Sequence, residues 1–350
     1  MRRALTVLGV GMSVLGSTVV TAPARAEGVV AVRLSGETAV AKEVANFWLA
    51  DGAANLRGAT PYDVRTSVGA ERLDTGVELD GKPVSYPPLA PEEGGASAKT
   101  PMTSGKVFFI GSDGLPHWCT GTAVRSNYRN LVATAGHCVL DTEAPDGPLG
   151  KWVFVPGYQD GVAPFGVFVG KVASVHHDFD SSRDYDRDVA FAVVHNGVAA
   201  PSPGELADTG RLGDSVGGQG LAFNQPLAPI ADVFGYPAGP NPDGRWPYTG
   251  ETLEWSDGPT FGVKVTGLPM DRAVGVASPF TGAGALGSSW LTQYTSGSRT
   301  GYLNGITVSA ADTDGDGRYD TGVSPYFDAQ VLQVFQYGAN VWSGTILRPL

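Results

Sequence analysis

The chain has 350 residues and a formal net charge of −11. This acidity argues against nucleic acid as a partner, because nucleic-acid-binding proteins display clustered lysine and arginine. The 49 glycines and 25 prolines punctuate short apolar runs along the whole sequence, which favours an all-β fold rich in turns over a helical one.

Residues 1–26 have the features of a secretory signal peptide. A positively charged start precedes an apolar run from Ala4 to about Ala22, and the run ends in a small-residue exit at Ala24–Ala26. A membrane anchor is the alternative, but glycines interrupt the run and no other stretch is long enough to span a bilayer. We therefore predict a secreted protein with no membrane partner.

Residues 27–100 differ in composition from the rest of the chain. Val40–Asn55 could form one helix with an apolar face, and Pro87–Gly95 has the composition of a linker. We interpret residues 27–100 as a pro-segment or as an N-terminal wrap, meaning a segment that packs along the outside of the main domain.

Short β-type runs begin at Gly105, and the second of them contains the first of only two cysteines, Cys119 and Cys138. Between these cysteines, Thr120–Arg125 and Leu131–Thr134 flank a polar turn and predict a hairpin. A disulfide would close a loop of about twenty residues and stabilise the fold by roughly 3 kcal/mol. Disulfides form and persist in the oxidising environment outside the cell, so the predicted export is consistent with such a bridge.

After this hairpin, the run Thr134–Cys138, Thr-Ala-Gly-His-Cys, resembles the general-base loop of trypsin/chymotrypsin-like serine peptidases. The likeness is greatest to the secreted bacterial branch and covers about residues 105–340. It implies a peptidase domain at 101–350 with two six-stranded antiparallel β-barrels, at about 105–200 and 221–323. It also implies that His137 is the general base and that no cofactor is required.

The carboxylate that would orient His137 is predicted at Asp188. This residue begins the run Asp-Val-Ala-Phe-Ala-Val-Val. The run resembles the sequence around the catalytic aspartate in the family. A strand start buried against a barrel is a place where a carboxylate can be held by hydrogen bonds. Asp186 is the second choice.

The nucleophilic serine of the family is missing from its expected turn. The flanks of the segment Thr281–Leu291 match the secreted peptidases, but the centre does not. Aligned from its C-terminal end, the serine position is Leu286, and aligned from its N-terminal end it is Ala285. Neither side chain can attack a carbonyl, so the segment indicates a lost active site.

Ser288 and Ser289 are the remaining hydroxyls next to this position. Using either as nucleophile would put bulky Trp290 where the oxyanion turn needs glycine. Ser288 and Ser289 are the fallback candidates for the nucleophile if the protein is an active enzyme.

The segment Asp312–Asp320 has the oxygen-rich spacing of a calcium loop. Asp312, Asp314, Asp316 and Asp320 occupy relative positions 1, 3, 5 and 9, but Val323 replaces the glutamate at position 12. The alternative is a polar hairpin tip without a metal. Calcium is the one ion that the sequence suggests.

The last predicted element is a closing helix at about 325–338. Ser324 and Pro325 are placed as its cap and first residue, and apolar side chains follow at helical spacing.

Together these features predict a secreted trypsin-like peptidase homologue without catalytic activity, which binds peptides or secreted proteins. Two alternatives stay open. The first is an active serine endopeptidase that uses Ser288 or Ser289, and the second is a calcium-stabilised extracellular structural protein.

Overall fold

The structure is a computed structural model that describes residues 28–74, 76–91, 100–142 and 147–347. The predicted signal peptide lies outside these residues, as does the second half of the predicted linker. No helix within the described ranges combines the length and the apolarity that a bilayer-spanning helix requires.

The chain forms strands along most of its length. The strands up to residue 199 are β1 Val29–Arg33, β2 Thr60–Pro61, β3 Gly69–Arg72, β4 Val84–Tyr86, β5 Ser104–Ile110, β6 Pro116–Val124, β7 Leu131–Thr134, β8 Gly150–Pro156, β9 Phe168–His176, β10 Ala190–Val194 and β11 Gly197–Ala199. The later strands are β12 Ala207–Gly210, β13 Gly220–Phe223, β14 Ala231–Gly235, β15 Glu254–Gly258, β16 Thr260–Thr266, β17 Ala273–Ala277, β18 Ser289–Thr295, β19 Thr300–Ile306, β20 Ser309–Ala311 and β21 Thr321–Pro325. The helices are α1 Thr38–Gly58, α2 His177–Ser182, α3 Leu212–Ser215 and α4 Ala329–Ala339.

Strands β5 to β10 close into a six-stranded antiparallel barrel. Their order is β9-β10-β7-β6-β5-β8, and a further pairing between β8 and β9 closes the ring. Every residue of β7 and β10 is buried, because one face fills the barrel interior and the other is covered by neighbouring elements. The first predicted barrel is therefore confirmed.

The second half consists of two curved sheets. One has the order β15-β14-β18-β19-β13-β4 and the other β20-β21-β17-β16-β3. N-terminal strands extend an edge of each sheet, since β4 pairs with β13 and β3 with β16. The all-β trypsin-like class with a C-terminal helix is confirmed, and the second six-stranded barrel of the prediction takes the form of these two sheets.

The described part of residues 28–91 lies along both halves of the molecule. Strand β1 pairs with β9 of the barrel, and helix α1 packs beside β8 and β9. Trp48 of α1 is fully buried, and its indole N–H donates to the carbonyl of Lys151 at 2.6 Å. The predicted helix Val40–Asn55 lies within α1, which has a non-helical kink at Ala50–Ala53. Whether residues 27–100 are a pro-segment or an N-terminal wrap stays a prediction.

The predicted start of the closing helix is wrong, because α4 begins at Ala329. Ser324 and Pro325 are the last residues of β21, which pairs with β17. The cap is Asp328, whose carboxylate accepts the backbone N–H of Gln330 at 2.9 Å. A Ser-Pro pair fits a helix start by local preference, but here strand pairing determines its conformation.

Candidate active-site cleft

The predicted hairpin is formed by β6 and β7 and carries the turn that holds His137. Thr122 pairs with Ala133 in this hairpin, and a short 3₁₀ turn, Gly136–Cys138, follows β7 directly. Cys119 and Cys138 form the predicted disulfide, with their Cα atoms 6.2 Å apart. The bridge ties the turn back to β6 and thereby fixes the backbone on either side of the histidine.

His137 and Asp188 meet in the interior, although they come from different strand ends. Nδ1 of His137 lies 2.5 Å from Oδ2 of Asp188, and the backbone N–H of His137 donates to Oδ1 at 2.8 Å. Both side chains are fully buried. A carboxylate that accepts Nδ1–H fixes the tautomer, so that Nε2 is left with the lone pair that a general base needs.

Gly136 makes this close approach possible. A Cβ atom on this residue would lie 2.8 Å from Oδ1 of Asp188 and 2.7 Å from the ring of Phe179. Both distances are shorter than packed atoms tolerate. The glycine of the motif is therefore explained by contact with the carboxylate.

Asp186, the second choice for the carboxylate, makes other contacts. Its oxygens accept the backbone N–H groups of Asp271 at 3.0 Å and of Arg272 at 2.8 Å. Burial raises the pKa of this carboxyl, and the two N–H donors act in the opposite direction. Asp186 therefore joins the two halves of the molecule, whereas Asp188 contacts the imidazole.

Leu286 is one of the two residues predicted at the position of the nucleophilic serine. Its carbonyl accepts the backbone N–H of Thr120 at 2.7 Å, which attaches the turn to β6. Gly287 follows with a φ of +87° and donates to the carbonyl of Thr307 at 2.7 Å. The side chains of Leu286 and Ala285 are fully buried. Neither places an oxygen in the cleft.

The two fallback serines are also buried, and neither hydroxyl is hydrogen-bonded to the imidazole. The hydroxyl of Ser288 donates to the carbonyl of Ala285 at 2.5 Å, and the Ser289 hydroxyl is buried without a partner within the described ranges. Nε2 of His137 is likewise buried and has no hydrogen-bond partner among the residues that the structure describes. The structure thus brings the His137 imidazole and the Asp188 carboxylate together. No hydroxyl of the described residues donates a hydrogen bond to Nε2 of His137.

Tyr62, from the segment before the first barrel, covers the histidine. Its ring stacks on that of His137, with 6.4 Å between the centroids and 28° between the planes. Its backbone N–H donates to the carbonyl of Trp118 at 2.9 Å, and its carbonyl accepts the N–H of Gly284 at 3.2 Å. Tyr62 is thus held on the first barrel and on the Thr281–Leu291 segment at once.

The chain continues from Tyr62 along the edge of the second half. Ala310 donates its N–H to the carbonyl of Thr66 at 2.9 Å and accepts the N–H of Val68 at 3.0 Å. Residues 60–68 therefore lie across the cleft as a strap, with a turn at Arg65, whose φ is +57°. The sequence does not predict the path of this strap, because its partners lie in distant parts of the chain.

The predicted calcium loop is the tip of the β20–β21 hairpin. Oxygens of Asp312, Asp314 and Asp320 lie within 4.8 Å of one another, while Asp316 is not part of this group. Asp312 already accepts the N–H groups of Gly315 and of Gly317, at 2.8 and 2.9 Å. The loop is therefore a polar hairpin tip, and it also carries a cluster of three carboxylates.

Solved structures of serine proteases share this architecture. The protease Anisep from Arthrobacter nicotinovorans is 25% identical with a TM-score of 0.54, over 70% of this chain and 99% of that chain. A thermostable serine protease, AL20, from an extremophilic microorganism is 25% identical with a TM-score of 0.55, over 69% of this chain and 98% of that one. A Glu endopeptidase, 17% identical with a TM-score of 0.50 over 73% and 98% of the two chains, shares the fold. No protein-family model and no curated protein matches the sequence.

Proposed function

Starting from the trypsin/chymotrypsin-like serine protease fold of this chain, we propose that the protein is a secreted homologue that is inactive as a peptidase and that binds peptides or other secreted proteins. One observation carries the proposal of inactivity: Nε2 of His137 has no hydroxyl as a hydrogen-bond partner in the described parts of the chain. Acyl transfer by this fold needs a hydroxyl whose proton the imidazole can take. Leu286 offers none.

The strap supports the binding role. Residues 60–68 turn at Arg65, and on the two sides of this turn they make backbone hydrogen bonds with Gly284 and with Ala310. Adding an extended peptide to a sheet edge in this way is a common mode of peptide recognition. A peptide from another protein would use the same backbone groups, and it would have to replace the strap.

Labelling with a serine-directed phosphonate tests the proposed inactivity on the full-length secreted protein. We expect no phosphonate on the Thr281–Leu291 segment and no cleavage of a broad peptide library. Stoichiometric labelling of Ser288 or Ser289, abolished in His137→Ala, would establish the alternative of an active endopeptidase. Sequencing the N-terminus of the secreted protein would test the export step.

The binding role has its own experiment. We expect immobilised full-length protein to retain peptides from an extended-peptide library, and Tyr62→Ala to retain more of them because the strap is loosened. Equal and negligible retention by both proteins would contradict a peptide-binding cleft.

Calcium is proposed as a weak stabilising ligand of the β20–β21 hairpin tip. The clustered oxygens of Asp312, Asp314 and Asp320 carry like charges, which a cation would neutralise. We expect an affinity of about 0.1–1 mM, the range of extracellular calcium modules. The melting temperature should rise with calcium in the wild type and not in Asp312→Asn. An unchanged wild-type melting temperature, measured against a chelator control, would remove the calcium-stabilised alternative.

A further inference from the structure

A chain of hydroxyl, imidazole and carboxylate lies next to Tyr62, apart from the His137–Asp188 pair. Oγ1 of Thr60 is 2.9 Å from Nδ1 of His117, and Nε2 of His117 is 3.0 Å from Oδ2 of Asp113. The ring of Tyr62 contacts both histidines, with its centroid 5.9 Å from that of His117 and 6.4 Å from that of His137. The second group is therefore distinct from the His137–Asp188 pair.

The directions of the hydrogen bonds allow His117 to act as a general base toward the Thr60 hydroxyl. The Asp113 carboxylate can only accept, so His117 donates its Nε2–H to it and keeps the lone pair on Nδ1. The hydroxyl of Thr60 then donates to Nδ1. The backbone N–H of Leu115 donates to Oδ1 of Asp113 at 2.9 Å, and this N–H, followed by His117, lowers the pKa of the Asp113 carboxyl.

The backbone fixes the three groups relative to one another. Thr60 and His117 are direct partners in the parallel pairing of β2 with β6. Gly111 leaves room for the other two groups, since a Cβ there would lie 3.0 Å from both Asp113 and the His117 ring. A site supported by strands and by close packing keeps its geometry better than one on a free loop.

This group is accessible, unlike His137. It borders an open cleft of about 560 Å³ whose other walls include Thr66, Trp246 and Gly282. Thr60 is exposed, and the His117 side chain is 13% exposed, whereas His137 is fully buried. A small molecule can therefore reach the hydroxyl, and the exposed indole of Trp246 offers an apolar wall for it.

We propose that Thr60 is the nucleophile of a second, acyl-transferring site that takes small activated carboxylic esters, with His117 as its base and Asp113 as the group that orients the base. Oγ1 of Thr60 forms a bond to the ester carbonyl carbon while its proton passes to Nδ1 of His117. The bond between that carbon and the alcohol oxygen breaks, and the leaving alcohol takes the proton. Water then attacks the acyl-Thr60 ester with the same base, which releases the acid and restores the hydroxyl.

The experiment uses p-nitrophenyl acetate with the full-length protein. We expect a burst of nitrophenolate and one acetyl group that peptide mass mapping places on Thr60. Thr60→Ser should keep the acetylation and Thr60→Ala should lose it. His117→Gln should slow acetylation about 100-fold, the lower end of what a positioned base contributes. Thr266→Ala, an exposed strand threonine outside the cleft, is the matched control and should behave as the wild type.

The site of the label separates this inference from the proposed function. Acetyl found only on lysines, or acetylation of Thr60 at the same rate in His117→Gln, would overturn the second site. Circular dichroism and melting temperature confirm that each variant is folded before its rate is compared. A label on Ser288 or Ser289 would overturn the proposed inactivity and would not count for Thr60.

Discussion

Lys106 is almost completely buried, with only 1% of its surface exposed, although lysine is ordinarily charged. Its Nζ lies over the ring of Trp118 at 3.6 Å and over that of Tyr158 at 4.2 Å. Burial lowers the pKa of this amine to about 7, and Glu251 acts in the opposite direction. The rings favour the ammonium form, but they do not replace the water that the amine loses.

The depressed pKa predicts that the protein becomes more stable as pH rises from 7 to 9. The folded state loses the Lys106 proton near pH 7, while the unfolded chain keeps it up to about pH 10.5, so the unfolded state binds more protons in this range. One such group changes the free energy of unfolding by at most about 1.4 kcal/mol per pH unit. Denaturant titrations at each pH measure the slope.

Replacing the amine supplies the control for this pH dependence. Lys106→Met should raise the free energy of unfolding at pH 7 and flatten the slope between pH 7 and 9. Lys264→Met removes an exposed lysine and should leave the slope unchanged. A slope that persists in Lys106→Met would show that another group causes it.

Gly136→Ala tests the contact between the histidine turn and the Asp188 carboxylate. The added methyl would lie under 3.0 Å from Asp188 and from Phe179, and such overpacking costs about 1–3 kcal/mol. Gly297→Ala is the matched control, because a Cβ at Gly297 meets no atom within 4 Å. Chemical denaturation of both variants gives the difference. Equal free energies of unfolding for the two variants would show that the turn accommodates the added methyl group without destabilising the fold.

At the scale of elements, the strap determines access to His137. Diethyl pyrocarbonate modifies the neutral imidazole nitrogen, and in this protein Tyr62 stacks on the His137 ring. We expect His137 to react slowly in the wild type and at least about tenfold faster in Tyr62→Ala, because the variant removes a stacked aromatic cover. Mass spectrometry of the peptide containing His137 measures the rate.

Exposed His177 supplies the internal reference in the same digest. Its rate should be equal in both proteins. An unchanged ratio of the His137 rate to the His177 rate would mean that elements other than the strap shield the imidazole.

At the scale of the whole molecule, residues 28–91 are expected to be indispensable for folding. Strands β1, β3 and β4 add to three separate sheet edges, and α1 buries Trp48 completely. A chain beginning at residue 100 would leave those edges and the apolar surface under α1 uncovered. We expect it to be insoluble or to lack a cooperative melting transition.

Co-expression of the missing segment gives the complementary result. Residues 28–91 supplied as a separate chain should restore a soluble, cooperatively melting complex, because their contacts do not depend on the covalent link. A truncated chain that folds alone would identify the segment as a removable pro-segment.

The sequence predicts best what is encoded locally. His137 lies between a strand, a glycine and a cysteine in one short run, so its turn can be recognised without knowledge of the rest of the chain. Asp188 follows from its position before a buried strand, and the structure places it against that histidine. The first barrel is likewise predictable, because its strands follow one another along the chain.

The features that the sequence does not predict depend on distant partners. Tyr62 lies on His137, and Thr60 lies beside His117, only because β2 pairs with β6. The predicted helix start is wrong for a related reason, since Ser324 and Pro325 fit a helix locally but pair with β17. In each case a tertiary contact overrides or supplements the local preference.

The pairing of β3 with β16 and of β4 with β13 also constrains the order of folding. Strands β3 and β4 leave the ribosome or an export channel early, and they have no partner strands until the second half of the chain has followed them. Such long-range pairings slow folding, because the closure of large loops must precede the contacts that stabilise them. During that interval the edges of β3 and β4 stay unpaired, and a chaperone that holds unfolded chains would find its binding surface there.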